Sequence, residues 1–389
     1  VTTTGSKANH MLLASGLAAT LTLSITLYQP ERPLSVLLII GVLLGITLYQ
    51  GRFGFASAYR NLFLYRDTRG VRAHLWMIAL TTLLFAPVLA QGEFFGRQVH
   101  GALAPVGWQV ACGAFFFGIG MQLAGGCGSG TLYTTGSGNP KMLLVLTAFC
   151  GGSFWASLDM NWWQQLPALP PIAMGVHISW PGAVIFQIGV FSLLALALKK
   201  YGINTFAGSS VSPPFQKPWH QRLIEPWPVF VAASLLALLN FATLATAGHP
   251  WTITWAFSLW GAKAATLLGW IPAENSFWTA PFQSSALLNS IFNDTTSVMN
   301  IGILLGAFCA AQLAKTFGSA LSLSWKNYVA ALIGGLLLGY GARIAFGCNI
   351  GALFSGIAST SLHGWLWMAA ALPGNWLGIK LRPYFDLSN

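Results

Sequence analysis

Long uninterrupted apolar runs recur along the whole chain, near residues 11–28, 34–50, 72–91, 105–123, 140–158, 180–198, 226–246, 251–270, 295–314, 327–346 and 361–380. A helix needs about 20 such residues to cross a bilayer. Inside hydrocarbon every backbone N–H and C=O must be satisfied within the protein, so only helices or a closed barrel can span. Barrel strands alternate apolar with polar residues. These runs are continuous, so they predict helices. Charge agrees, because only 7% of the 389 residues are charged, against roughly a quarter in soluble domains. The net charge of +11 would suggest nucleic acid in a soluble protein. Here the cations lie mostly in short loops, where they set orientation, and no nucleic-acid partner is expected.

The loops divide by charge. Arg60, Arg66, Arg69 and Arg72 mark one inner loop, Lys199, Lys200, Lys217 and Arg222 a second, Lys315 and Lys326 a third, and Lys380 and Arg382 a fourth. The stretches 92–104 and 159–179 are poor in cations and read as outer. All of these fit if the segment 251–270 dips in and returns, and Lys263 within it makes a lipid-facing crossing costly. The expected fold is an all-α integral membrane protein with about ten spanning helices and additional short broken or re-entrant helices. Residues 1–198 would form an N-terminal half, 199–225 a basic inner linker and 226–389 a C-terminal half. Both termini would be cytoplasmic.

An internal repeat runs through the middle of each half. Residues 113–132, GAFFFGIGMQLAGGCGSGTL, align without gaps on residues 334–353, GGLLLGYGARIAFGCNIGAL. Eight of the twenty positions agree, and they set a Gly-Cys pair at 126–127 in register with Gly347-Cys348. The parity of crossings predicts that the two copies are inverted, an architecture of secondary transporters. A fainter copy lies at 41–60, where Gly45 precedes Gly54 by nine residues, as Gly118 precedes Cys127.

Glycine-rich turns of this kind end a helix, turn the backbone and start a new helix, and they let a solute approach the main chain. The freed amides and the new N-terminus favour anions. A cysteine there adds a weak S–H donor beside the amides. Gly126, Cys127, Gly128, Gly347, Cys348 and Asn349 are therefore candidate path residues. Arg52 and Gly54 beside the faint third break, and Arg343 within an apolar run, join them. The remaining cysteines, Cys112, Cys150 and Cys309, have no cysteine partner at the repeat offset and read as packing residues. Five cysteines in no disulfide-like or zinc-like spacing give neither a framework nor a metal site. No Walker-type nucleotide motif is present and no cofactor is expected.

These residues resemble the YeeE/YedE membrane family, whose pattern has a Gly-Arg-Phe-Cys segment, a Gly-Gly-Cys segment and a late Gly-Cys-x-x-Gly segment. They correspond here to Gly51-Arg52-Phe53-Gly54, Gly125-Gly126-Cys127 and Gly347-Cys348-Asn349-Ile350-Gly351. The stretch from Asp294 to Gly302 is similar to the family's late helix. The resemblance implies an hourglass-like helical permease of a bacterial inner membrane. It would pass thiosulfate or a related small sulfur anion along cysteines at a constriction, with a separate small cytoplasmic sulfur-carrier protein as a candidate partner. Gly54 stands where the family has its first cysteine, so two thiols remain. Two other readings stay open: transport of another small solute such as sulfite or a selenium species, and a membrane thiol or sulfur-relay subunit. A thiol enzyme needs an activating base, and no histidine lies near Cys127 in sequence, so the chain is not expected to be an enzyme.

Overall fold

The computed structural model describes residues 3–29, 33–203, 225–318 and 324–388. Most of the basic linker, including Lys217 and Arg222, lies outside these residues. The main helices are α1 (Thr3–Thr26), α2 (Leu34–Gln50), α3 (Phe55–Tyr65), α4 (Arg69–Gln91), α5 (Trp108–Ala124), α6 (Gly128–Gly136) and α7 (Pro140–Leu158). There follow α8 (Trp180–Tyr201), α9 (Val229–Ala247), α10 (Thr254–Leu267), α11 (Thr295–Leu313), α12 (Trp325–Ile344) and α13 (Leu362–Leu381). Among the described residues, paired strand is confined to two antiparallel two-residue pairs in the loops, Glu93–Phe94 with Arg97–Gln98 and Val106–Gly107 with Ala168–Leu169.

Eight helical segments among the described residues are long and apolar enough to cross a membrane. Two of them are interrupted: α2 continues into α3, and α5 into α6. The segment read as dipping and returning carries α10, whose 14 residues span only about 21 Å at 1.5 Å per residue. Lys263 on α10 donates to the carbonyls of Leu287 and Asn289, both at 2.6 Å. Its charge is thus met by backbone oxygens of the 276–293 cap.

Packing follows the glycines. Helices α5 and α12 cross where a Cβ on Gly113 would lie 2.6 Å from the Gly341 carbonyl, and one on Gly334 would lie 2.5 Å from the Ala124 amide nitrogen. In lipid, where apolar side chains gain little by meeting one another, this close backbone approach is what drives association. The helix contacts come in matched sets. The α12 helix packs on α7 and α5 on α13, α11 on α2 and α9 on α4, α1 on α11 and α8 on α4. All of these pairs except α8 on α4, together with α2 on α9 and α5 on α12, join a helix before residue 199 to one after residue 225. In α8 only 17% of the apolar stretch is buried, which leaves this helix facing lipid.

Candidate functional site

Four helices end in the interior and restart. The α5 helix stops at Gly125, whose φ of +86° is open to glycine at no steric cost. Cys127 is then extended and caps α6. The α12 helix stops at Ala345. Phe346 and Gly347 turn the chain with φ of 57° and 154°, and Cys348 caps a π-helical turn over Asn349–Ser355. The α2 helix breaks at Gly51–Gly54 before α3. The α9 helix breaks at Gly248–Ile253 before α10.

These breaks meet one another. Both Cys127 and Cys348 are buried, at 1% and 0% exposure, so a solute would reach them only through the protein. The backbone N–H groups of Ser129 and Gly130, and that of Phe55 at the start of α3, lie in electrostatic reach of the Cys127 sulfur. The Ser129 hydroxyl lies 3.3 Å from it. Ile350 donates its N–H to the Cys348 sulfur at 3.4 Å, with the Gly351 N–H also directed there. A Cβ on Gly128 would lie 3.2 Å from the Cys348 sulfur and 3.6 Å from the Ile253 side chain. The glycine after one cysteine therefore faces the other cysteine.

A cleft opens toward each end of this centre. One, of about 670 Å³, is lined by Arg52, Ser57, Tyr133, Thr134 and Asn139, and by Ala314 and Thr316 just past the end of α11. The other, of about 420 Å³, is lined by His249, Thr252, Thr254 and Arg343, and by Thr295 and Thr296 at the start of α11. The 19 residues of α11 rise about 28 Å, close to the thickness of a hydrocarbon core. The two clefts thus lie at opposite ends of one span, and each holds one arginine and one carboxylate, Glu225 in the first and Asp294 in the second, among hydroxyl groups. Neighbouring groups join them. A Cβ on Gly54 would sit 4.0 Å from the Tyr133 hydroxyl, and Tyr133 is in electrostatic reach of both Arg52 and Cys127. Past Gly128 and Cys348, a Cβ on Gly351 would sit 3.3 Å from Thr252 Oγ1, in the second cleft.

The residues singled out in the sequence fall along this line with different standings. Arg52 has a left-handed φ of 44° and faces the first cleft. Arg343 lies 5.0 Å from the Phe277 ring centre, and its Nε is buried without a partner. Asn349 is buried with both amide atoms unpartnered, an arrangement that costs stability unless something else is bound there. Gly347 is sterically required, since a Cβ would lie 2.6 Å from the Ala352 amide nitrogen. Gly126 is not, because its nearest such contact is an ordinary 3.4 Å. At Gly54 the side-chain volume is already taken by the Ser57 hydroxyl, 2.7 Å from where a Cβ would be, which donates to the Gly54 carbonyl at 3.1 Å.

Sequence reasoning missed Ser57, Tyr133, Thr252 and the break at Gly248–Ile253. None carries a motif, and the first three are ordinary polar residues until the fold gathers them. The break did leave a signal, the Gly248-His249-Pro250 punctuation between two apolar runs. Cys112, Cys150 and Cys309 line neither cleft. Cys112 packs in the Ala156–Trp163–Ile344 cluster, Cys150 borders the main core, and the Cys309 sulfur would lie 2.9 Å from a Cβ on Gly16.

A helical membrane protein with opposed clefts around a thiol-bearing centre has the layout of a membrane transport protein. The model of the sulphur transport family matches residues 50–377, and the chain belongs to that family. It is 30% identical to the thiosulfate transporter TsuA of Spirochaeta thermophila over 351 residues, 87% of this chain and 96% of that protein. It is 24% identical to the thiosulfate transporter TsuA of Escherichia coli over 367 residues, 89% of this chain and 94% of that protein. A probable transporter, YedE of Escherichia coli, is 33% identical over 175 residues, 44% of this chain and 42% of that protein. The chain is a multi-pass membrane protein, as the apolar helices require.

Proposed function

We propose that this protein is a permease for thiosulfate or a closely related sulfur anion, and that the solute passes between the two clefts by way of Cys127 and Cys348. The observation that carries this reading is the meeting of the breaks: Gly128, just after Cys127, faces the Cys348 sulfur and the Ile253 side chain, and the 349–355 turn donates the Ile350 N–H to that sulfur. Helix N-termini and free amides hold negative charge, while a thiol is a weak donor. An anion so held binds loosely enough to leave again, as conduction requires. Asn349, with its unpartnered amide, adds a further donor at the same point.

The matched helix contacts support two inverted halves. The elements α1 to α7 would correspond in order to α8, α9, α10, α11, α12, the 349–358 turn and α13, which places the 159–179 stretch between the copies and the basic linker after α8. Cation-rich loops support a cytoplasmic placement of the α11 C-terminal cleft and of both termini, in a bacterial inner membrane. That cleft is also the place where a small sulfur-carrier protein would receive the solute.

The decisive experiment is uptake of labelled thiosulfate into proteoliposomes of the purified protein, with and without an imposed ion gradient. Uptake no greater than in protein-free vesicles, for a correctly inserted protein, removes the substrate assignment. Sulfite and selenium oxyanions added as competitors separate this reading from its nearest alternative.

The clefts make the arginines unequal. A dianion in a low-dielectric passage is costly, and a cation at its mouth offsets part of that cost. Arg52→Gln and Arg343→Gln are each expected to lower thiosulfate flux about threefold to tenfold, with the loss shrinking for Arg52 at high salt. Arg66→Gln serves as the comparison, since Arg66 stacks on Tyr201 at 5.0 Å away from both clefts. Equal losses in all three variants would remove the electrostatic argument.

Gly54→Cys is expected to insert normally. The atom in its way is the rotatable Ser57 hydroxyl, not backbone, so one rotamer change makes room. Flux should stay within about twofold of the parent or rise. Complete loss of transport would mean that the Ser57 hydroxyl, rather than a thiol, is the donor this mouth depends on.

A further inference from the structure

Away from the solute path, one groove on the lipid-facing surface combines apolar walls with a cation at one end. It lies between α4, α8 and α9, has a volume of about 310 Å³, and is walled by Leu75, Leu80, Leu83, Ile188, Phe191 and Phe230, among others. Several wall residues are open to the outside, among them Leu83 at 52% and Phe230 at 40% exposure. Arg72 closes one end. From Arg72 to Leu83 the helix rises about 16 Å, roughly half of a 30 Å hydrocarbon core. The groove is therefore one leaflet deep and runs inward from the cation.

The charge around that end is positive. Lys199 and Lys200 stand in the last turn of α8, beside the same membrane face, and Arg66 and Arg69 flank the start of α4. The one carboxylate of the α3–α4 loop, Asp67, is engaged by Arg69 at 2.8 Å. Among the described residues, the Arg72 side chain has no hydrogen-bond or ion-pair partner. Besides Arg72, the wall side chains with hydrogen-bonding groups are Ser192 and Trp76, and the Trp76 indole N–H already donates to the Ser234 hydroxyl at 2.9 Å, so the groove offers an acyl chain little that is polar to desolvate.

We infer that this groove is a binding site for an anionic phospholipid, with one acyl chain along α4 and α8 and the phosphate at Arg72. Neutral lipids can fill the apolar part equally well. The basic end adds the preference, because each cation near a membrane surface contributes attraction to anionic headgroups. The site is independent of the transport assignment. Its helices, α4 and α8, belong to one of the matched contact sets, so an occupied groove would brace α8, which is otherwise the least buried span.

Native mass spectrometry of the detergent-solubilised full chain tests this. Phosphatidylglycerol and phosphatidylcholine with identical acyl chains are titrated in parallel. The expected result is retention of phosphatidylglycerol about fivefold or more over phosphatidylcholine for the parent protein. Arg72→Gln should remove that preference while leaving weak binding of both lipids, and Arg72→Lys should keep most of it. Ala79→Trp, which fills the groove from its wall, should reduce binding of both lipids. Lys326→Gln, in a surface pair with Asp386 at 3.2 Å, should change nothing. Equal retention of the two lipids by the parent overturns the proposal. So does a preference that survives Arg72→Gln, or lipid retention unaltered by Ala79→Trp in a protein that elutes as a single folded species.

Discussion

Thiosulfate flux falls by about tenfold to a hundredfold in Cys127→Ala and in Cys348→Ala, with insertion and elution unchanged. Both sulfurs are buried among backbone N–H groups, those of Phe55, Ser129 and Gly130 on one and of Ile350 and Gly351 on the other. A methyl group in place of either thiol removes the S–H donor to a passing anion. Hydrogen bonds to charged partners contribute about 1.5–3 kcal/mol, and 1.36 kcal/mol in a barrier is tenfold in rate. Volume changes little, so folding should tolerate the exchange. Serine keeps a donor but makes a shorter, stronger bond, and Cys348→Ser should fall between the parent and alanine. The measurement is initial uptake rate in proteoliposomes, corrected for protein inserted. If both alanine variants keep parental flux, the thiols are packing residues, and the amides and Asn349 alone would have to shape the path.

The helical skeleton was legible because the bilayer permits so little else. Continuous apolar runs gave most main helices to within a few residues, and Lys263 fell on α10, a helix of only 14 residues. The 221-residue offset located both cysteine turns, since a Gly-Cys pair in register is hard to place by composition alone. It could not reveal that the start of α3 at Phe55 comes into electrostatic reach of Cys127, or that Gly128 faces Cys348, because those contacts join segments far apart in sequence. The break at Gly248–Ile253 has no cysteine to announce it. Ser57 was invisible for a simpler reason: a serine three residues past Gly54 reads as an ordinary helix residue. Only the fold sets its hydroxyl in the volume that a side chain at Gly54 would need. The number of crossings was the least determined quantity. It depends on how short or polar helices such as α10 and α13 lie in the bilayer, and hydropathy counts them poorly.

The same geometry separates two glycines that look alike in sequence, Gly126 and Gly347, which occupy equivalent places in the repeat. Gly347→Ala is expected to abolish uptake and to lower the unfolding temperature, whereas Gly126→Ala should do neither. At Gly347 the φ of +154° is one that side-chain-bearing residues rarely adopt. Its Cβ would also lie 2.6 Å from the Ala352 amide nitrogen and 3.1 Å from the Gly351 carbonyl carbon. Both obstacles are backbone and belong to the π-helical turn that Cys348 caps, so relief can come only by moving that turn. Backbone strain of this kind costs about 1–3 kcal/mol, and overpacking adds a similar amount. Displacing the turn shifts the Ile350 and Gly351 N–H groups off the Cys348 sulfur and loosens the hydrogen bond from Trp367 Nε1 to the Gly347 carbonyl at 3.3 Å. Gly126 has no left-handed φ and meets nothing closer than 3.4 Å, so a methyl group fits. Uptake rate and unfolding temperature, measured together on both variants, give the test. A Gly347→Ala protein as stable and as active as the parent would show that the turn yields more easily than its backbone contacts allow, and the rigid placement of Cys348 would have to be abandoned.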